Sequence, residues 1–152
     1  MVSSVIQIAE ATSIALHSMV FIARADGMNV TVRELVSTIG FSHAHSSKVL
    51  QQLVRAGLLQ SVRGPKGGFR LCRPAGDITL LEVWEAMEGH LAVDMCIVNG
   101  GREECPFGQC ILDELPGRLS EEFREYLGSR TLAGVVNQIM SRAEKAAIND
   151  GV

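Results

Sequence analysis

From Arg63 to Gly68 the chain reads Arg-Gly-Pro-Lys-Gly-Gly, and few structures accept that hexapeptide. Three glycines and a proline in six residues break a helix and leave a core unfilled. They suit a turn, where glycine takes φ > 0 without a steric cost and proline presets one φ. On either side stand Leu59, Val62, Phe69 and Leu71, which are strand formers. The pattern predicts a β-hairpin with Arg63 and Lys66 at its tip and Arg70 and Arg73 on its return strand. A hairpin armed in this way can touch nucleic-acid phosphates. The plainer alternative is a solvated turn with incidental charge.

Charge distribution favours the first reading. The 152 residues include 14 Lys and Arg against 17 Asp and Glu, a net of −3. From Ser42 to Arg73 there are six basic residues (Lys48, Arg55, Arg63, Lys66, Arg70 and Arg73) and no acidic one. The remainder therefore holds 8 basic and 17 acidic residues, −9 against +6. One basic face on an acidic body is the footprint of a nucleic-acid binder.

This length suits one domain, or one domain with an appendage. The expected division is 1–89 for a DNA-binding unit, 90–111 for a cysteine-bearing loop and 112–152 for a dimerisation helix and a last helix. Hydrophobic residues make up 47% and charged residues 20%, ordinary values for a soluble globular protein. The N-terminal run lacks a basic region, and its apolar stretch is broken by Gln7, Glu10 and His17. We expect no signal peptide, no membrane span and a cytoplasmic location. Four cysteines in such a chain point to metal or redox chemistry rather than to disulfide staples.

Periodicity and caps outline the rest. Apolar residues at helical spacing predict a helix over Val5–Arg24, stopped by Asp26-Gly27. Thr31-Val32-Arg33-Glu34 matches a capping box and opens a short helix ending at Gly40. Ser42 caps a third helix, which Gly57 ends. Two short helices, a tight turn and then a hairpin make a winged helix-turn-helix within a mainly α fold. Thr79-Leu80-Leu81-Glu82 opens a further helix to about Glu88. His90–Cys110 shows no periodicity and reads as a loop. Leu115, Leu119, Phe123 and Leu127 recur at every fourth position and predict a helix, with Pro116 awkward at its start. That apolar seam is expected to join two subunits, the alternative being that it packs on its own domain. Thr131 opens the last helix, to about Ala147.

Cys96, Cys105 and Cys110 put three thiols within 15 residues of that loop, the pattern of a metal-ligating segment. A fourth ligand is then needed; His17 leads and Glu10 follows, nearly on the same helix face. Three unrelated thiols, or a reversibly oxidised pair, are the alternative. Cys72, at the end of the wing, reads as a small hydrophobe beside Leu71.

The chain resembles the Rrf-two (BadM-type) family of bacterial transcription regulators. The resemblance is carried by Ala15-Leu16-His17, by Lys48–Leu53 with Ala56-Gly57-Leu58, and by the wing Ser61–Phe69. Ile78-Thr79-Leu80, Ala86–Gly89 and Thr131-Leu132-Ala133 continue it over nearly the whole chain. It implies a homodimer whose loop cysteines hold an iron–sulfur cluster, with 2Fe–2S ahead of 4Fe–4S. In several such regulators the remaining ligand, an Asp, Glu or His, comes from the first helix of the partner subunit. Ser13 stands where some members carry an acidic ligand; His17 matches a histidine ligand of the redox-sensing branch. Other members lack the cysteines altogether, so a cluster is implied by the cysteines and not by membership.

The sequence therefore reads as a sequence-specific, double-stranded-DNA-binding regulator, expected to repress, that senses redox state, nitric oxide or iron. Base contacts are expected from the exposed start of the third helix, at Ser42, His43, His45, Ser46, Ser47, Lys48, Gln51 and Gln52; phosphate contacts are expected from Arg63, Lys66 and Arg70. One rival is the same fold with a structural zinc or a thiol switch; another is a winged module that binds a protein. No nucleophile–base pair stands out, and Gly64–Gly68 does not fit a phosphate-loop pattern, so no enzyme is expected.

Overall fold

The computed structural model describes residues 8–91 and 111–149. In chain order these form α1 (Glu10–Arg24), α2 (Val32–Ile39), α3 (His43–Arg55), β1 (Leu59–Val62), β2 (Gly68–Leu71), a 3-10 turn at Ala75–Asp77, α4 (Leu80–Glu88), α5 (Leu115–Gly128) and α6 (Leu132–Asn149). The architecture is mainly helical, with one antiparallel hairpin as the wing.

Local chemistry sets the boundaries. At α2, Thr31 Oγ1 accepts from the Glu34 N–H at 3.2 Å while the Glu34 carboxylate accepts from the Thr31 N–H at 2.7 Å. Thr79 and Glu82 repeat the reciprocal cap at α4. A cap of this kind is worth about 1 kcal/mol. Gly40 ends α2 in the left-handed region at φ 83°. After α3, the Leu58 N–H reaches back to the Leu53 carbonyl at 3.0 Å, and Gly57 takes φ 74°. This wrap turns the chain from α3 directly into β1.

Helix α1 begins at Glu10, so Ile8 and Ala9, within the expected span, precede it; Val5, Ile6 and Gln7 lie outside the described residues. Ala9 is extended, and the buried face starts only at Thr12. Without core contacts the apolar spacing has nothing to act on. From Thr12 onward α1 is the central element, packed by α2, α3, α4, α6 and β2. Ile14, Ala15, Met19 and Ile22 join Leu35, Val49, Leu50, Leu53, Leu58, Leu59, Phe69, Ile78, Val83 and Leu132 in one core. Each large aliphatic fully withdrawn from water contributes roughly 1.5–3 kcal/mol.

The hairpin pairs Leu59 with Leu71 and Val62 with Gly68. A third segment joins it: Val30 and Phe69 exchange both backbone hydrogen bonds, at 2.9 and 2.8 Å. Gly68 permits this approach. It sits at φ +150°, and a Cβ there would lie 2.6 Å from the Val30 carbonyl oxygen.

The C-terminal helices divide their loyalties. Leu127 is 5% exposed, and Trp84 meets Phe123 edge to face with ring centroids 4.9 Å apart. Leu115 and Leu119, on the same seam, are 45% and 41% exposed. Phe123 and Leu127 of α5 thus face the body, while Leu115 and Leu119 stay exposed on either side of a buried Pro116. Pro116 takes one of the first two helical positions, where its missing N–H has no partner to lose. The start of α6 is stitched to the start of α4 by hydrogen bonds from Leu132 N–H to Ile78 O and Leu80 N–H to Arg130 O, both 2.9 Å.

Candidate nucleic-acid interface

Helix α3 turns Ser46, Val49, Leu50 and Leu53 into the core. Helical geometry then places Ala44, Ser47, Lys48, Gln51 and Arg55 along the opposite stripe. Lys48, Gln51 and Arg55 are exposed and Ser47 is half-buried. With Gln52 these side chains line an open depression of about 430 Å³, large enough to receive a base edge or a phosphate but too open to hold a small molecule.

The residues of α3 expected to contact DNA stand in different surroundings. Ser46 is fully buried, with its hydroxyl in no hydrogen bond, so it cannot face a base. Its polar identity suggests solvent, but its position is one of the four core positions of the helix. His45 is half-buried, and its Nδ1 lies 3.4 Å from Glu10 Oε2. The two residues expected to serve separate sites therefore meet each other. Gln52 is exposed, but its Nε2 donates to the Ala86 carbonyl on α4 at 3.0 Å. Ser42 caps α3, accepting from the His45 N–H at 3.2 Å, and its own O–H remains able to donate. His43 is exposed. Arg55 completes the stripe one turn beyond Gln51; the four-residue spacing is the signal for it, although it is not among the expected contacts.

The first turn of α3 contains no acidic residue, whereas α2 and α4 each hold a capping Glu there. Ser42 satisfies the His45 N–H there, and the positive end of the helix dipole favours an anion at this end.

On the wing, Arg63, Lys66 and Arg70 are all exposed. Arg70 alternates with the buried Phe69 and borders a cavity of about 300 Å³ shared with Asp26, Met28 and Gln60. Arg73 is engaged elsewhere: its Nη2 meets Glu82 Oε1 at 2.6 Å. Burial pushes the Glu82 carboxyl up, but the Thr79 N–H and the Arg73 guanidinium outweigh it and hold the group below its ordinary value. The partnership in turn raises the Arg73 pKa. Cys72 is an exposed free thiol, not the packed hydrophobe that its neighbour Leu71 suggests.

Of the expected metal ligands, Cys96, Cys105 and Cys110 lie outside the described residues. Among the described residues, no group of three His, Cys, Asp or Glu is placed to hold a metal. His17 is exposed, and its Nδ1 is 2.7 Å from the Ser13 carbonyl oxygen. A carbonyl only accepts, so Nδ1 carries a proton; in the neutral ring the lone pair is then on Nε2, the tautomer a metal-binding histidine needs. The His17 ring also meets Phe41 edge to face at 6.1 Å, one residue before the cap of α3.

A family model described as "Iron-dependent Transcriptional regulator", Rrf2, matches residues 8–138. The chain belongs to the Rrf2 family. Among curated proteins, protein aau3 of Rhizobium meliloti (strain 1021) is 34% identical over 127 residues, 82% of this chain and 81% of that protein. Among solved structures, CymR (YrzC), the global cysteine regulator of B. subtilis, is 24% identical with a TM-score of 0.73, covering 88% of this chain and 98% of its own. T. potens IscR is 21% identical with a TM-score of 0.70, covering 89% of each. The fold is therefore that of the Rrf2 winged-helix regulators, which bind DNA and are not enzymes. Among the described residues no helix is long and apolar enough to cross a membrane.

Proposed function

We propose that this Rrf2 protein is a cytoplasmic, homodimeric, sequence-specific DNA-binding repressor controlled by an iron–sulfur cluster. The observation that carries the DNA-binding part is the α3 stripe Ser47, Lys48, Gln51 and Arg55, followed by a wing bearing Arg63, Lys66 and Arg70, with no carboxylate between Ser42 and Arg73. Side chains of the stripe suit base edges in a major groove, and wing cations suit phosphates or a narrow minor groove. Ser47 stands where, in the family resemblance, a member carries a base-discriminating Glu, so a different operator preference is expected here.

Exposed Ile111, Leu112, Leu115 and Leu119, with Ile139 and Met140 on α6, support a second copy as the covering partner. Two-fold pairing would set two recognition helices about 34–36 Å apart, the spacing of successive half-sites. The division into a reading unit at 1–89, a sensing segment at 90–111 and a dimerising unit at 112–152 is functional, because Leu132 shares the core of the reading unit.

The donor set fits a cluster. Cys96, Cys105 and Cys110 offer three soft thiolates and His17 an outward Nε2; Glu10, beside His45, is the poorer candidate. Those residues would hold a cluster, which when bound would supply a centre sensitive to oxidant, nitric oxide and iron supply. His17 touches Phe41 at the threshold of α3, and α1 packs along α3. A pull on α1 therefore reaches the reading helix directly. A shift of about 1.4 kcal/mol between DNA-competent and incompetent arrangements changes apparent affinity tenfold.

The test is anaerobic purification followed by an absorption spectrum, iron and sulfide assay, and a DNA selection. A brown, iron-containing protein is expected, with the colour lost on Cys96→Ser, Cys105→Ser or Cys110→Ser and kept on Cys72→Ser. Stoichiometric zinc, or no metal after reconstitution, would replace the cluster with a structural zinc or thiol switch. A salt-insensitive complex with a protein in place of DNA binding would sink the regulator reading itself.

A further inference from the structure

We propose that Asn29 is a positioning residue of the wing, fixing the peptide of Lys66 and so aiming that cation at DNA. This inference rests on the DNA-binding reading above. Asn29 Nδ2 donates to the Lys66 carbonyl at 2.9 Å, across 37 residues of sequence. The bond joins the connection between α1 and α2 to the tip of the hairpin. Beside it, Val30 pairs with Phe69, so the same connection holds both the strand and the tip of the wing.

A two-stranded hairpin alone is marginal in water and does not hold an orientation. Gly67, next in sequence to Lys66, takes a conformation in which a Cβ would collide with the Val62 carbonyl. The tip is thus folded tightly on itself, and the Asn29 bond sets how it stands against the body. Lys66 keeps an exposed side chain while its backbone is held. Asn29 is half-buried, and its Oδ1 is buried without a hydrogen-bond partner. An orphaned acceptor costs stability, so a residue chosen for stability alone would be apolar here. The amide is explained by what its Nδ2 holds.

The experiment uses the full chain and a random-sequence DNA duplex, because phosphate contacts do not depend on sequence. Asn29→Leu removes the donor and the orphan together; Asn29→Ala does the same with less bulk. Both should weaken duplex binding about tenfold while the melting temperature stays within about 4 °C of the parent. Lys66→Ala leaves the Lys66 carbonyl and its bond in place. In that background either Asn29 change should cost no more than about twofold, since the cation being aimed is gone. Unchanged binding by both variants overturns the proposal. So does a full tenfold loss in the Lys66→Ala background, or a loss that only follows the unfolded fraction. If Lys66→Ala alone leaves binding intact, the wing reading falls and this inference falls with it; if Lys66→Ala weakens binding and the Asn29 changes do not, the positioning role alone is lost.

Discussion

The side-chain amide of Gln52 donates to the backbone carbonyl of Ala86 at 3.0 Å, while Gln51, its neighbour in sequence, points to solvent from the middle of the α3 stripe. Two adjacent glutamines on one helix thus have different surroundings. Gln51→Ala should change which sequences are enriched in a DNA selection and leave the melting temperature unchanged. Gln52→Ala should do the reverse, with a stability loss of about 1 kcal/mol from the broken bond between α3 and α4. An altered enrichment from Gln52→Ala, with none from Gln51→Ala, would reverse the assignment.

Arg63→Ala and Lys66→Ala should each weaken binding to specific and random duplexes alike. The slope of log affinity against log salt should shrink by about 1 for each phosphate no longer neutralised. Titrations at several salt concentrations check this. A relaxed preference at one base with the slope intact would move that residue from phosphate to base reading.

Gly68→Ala should loosen the wing without touching any DNA-facing side chain. The substitution places a methyl group 2.6 Å from the Val30 carbonyl at a φ of +150°, which an L side chain rarely adopts. Backbone strain of this kind costs roughly 1–3 kcal/mol. Thermal unfolding measures the loss, and hydrogen exchange at the Val30 and Phe69 amides should show faster opening there than at Leu50 or Leu53.

Acid should expose the cap of α4. Glu82 has a folded pKa below its ordinary value of 4.5, so its contribution is fully present above that value and is lost as pH falls through the folded pKa. Glu34 at the α2 cap behaves in the same direction. Glu82→Gln should therefore be less stable than the parent at neutral pH, and the gap should close as the pH is lowered below 4.5. A gap that persists unchanged in acid would show that the carboxylate charge contributes nothing.

What the sequence discloses and what it withholds divide by the range of the interactions. The caps at Thr31, Ser42 and Thr79 and the turn Arg63–Gly68 are each encoded within a few residues, and each stands where its motif puts it. The partnership of Val30 with Phe69 spans 39 positions and has no local signal. The polarity of Ser46 points outward, but its spacing from Val49, Leu50 and Leu53 places it inside, and the spacing prevails. Arg73 reads as one more wing cation until α4 brings Glu82 beside it. The seam of α5 reads as a single surface, but Trp84 claims one end of it through Phe123.

Leu91, which precedes the cysteine-bearing segment, is held on both sides of its peptide. Its N–H donates to Glu85 Oε1 at 3.2 Å, and its carbonyl accepts from Arg124 Nη1 at 3.3 Å. Arg124 belongs to α5, which packs on α4, so the two helices that flank residues 92–110 in sequence contact each other directly. Lengthening a segment between anchored ends costs little, about 0.6 kcal/mol for each doubling. A change in the number of residues between Leu91 and Ile111 is therefore expected to leave the contact between α4 and α5 in register, so that the spacing of the cysteines and the packing of the helices can vary independently.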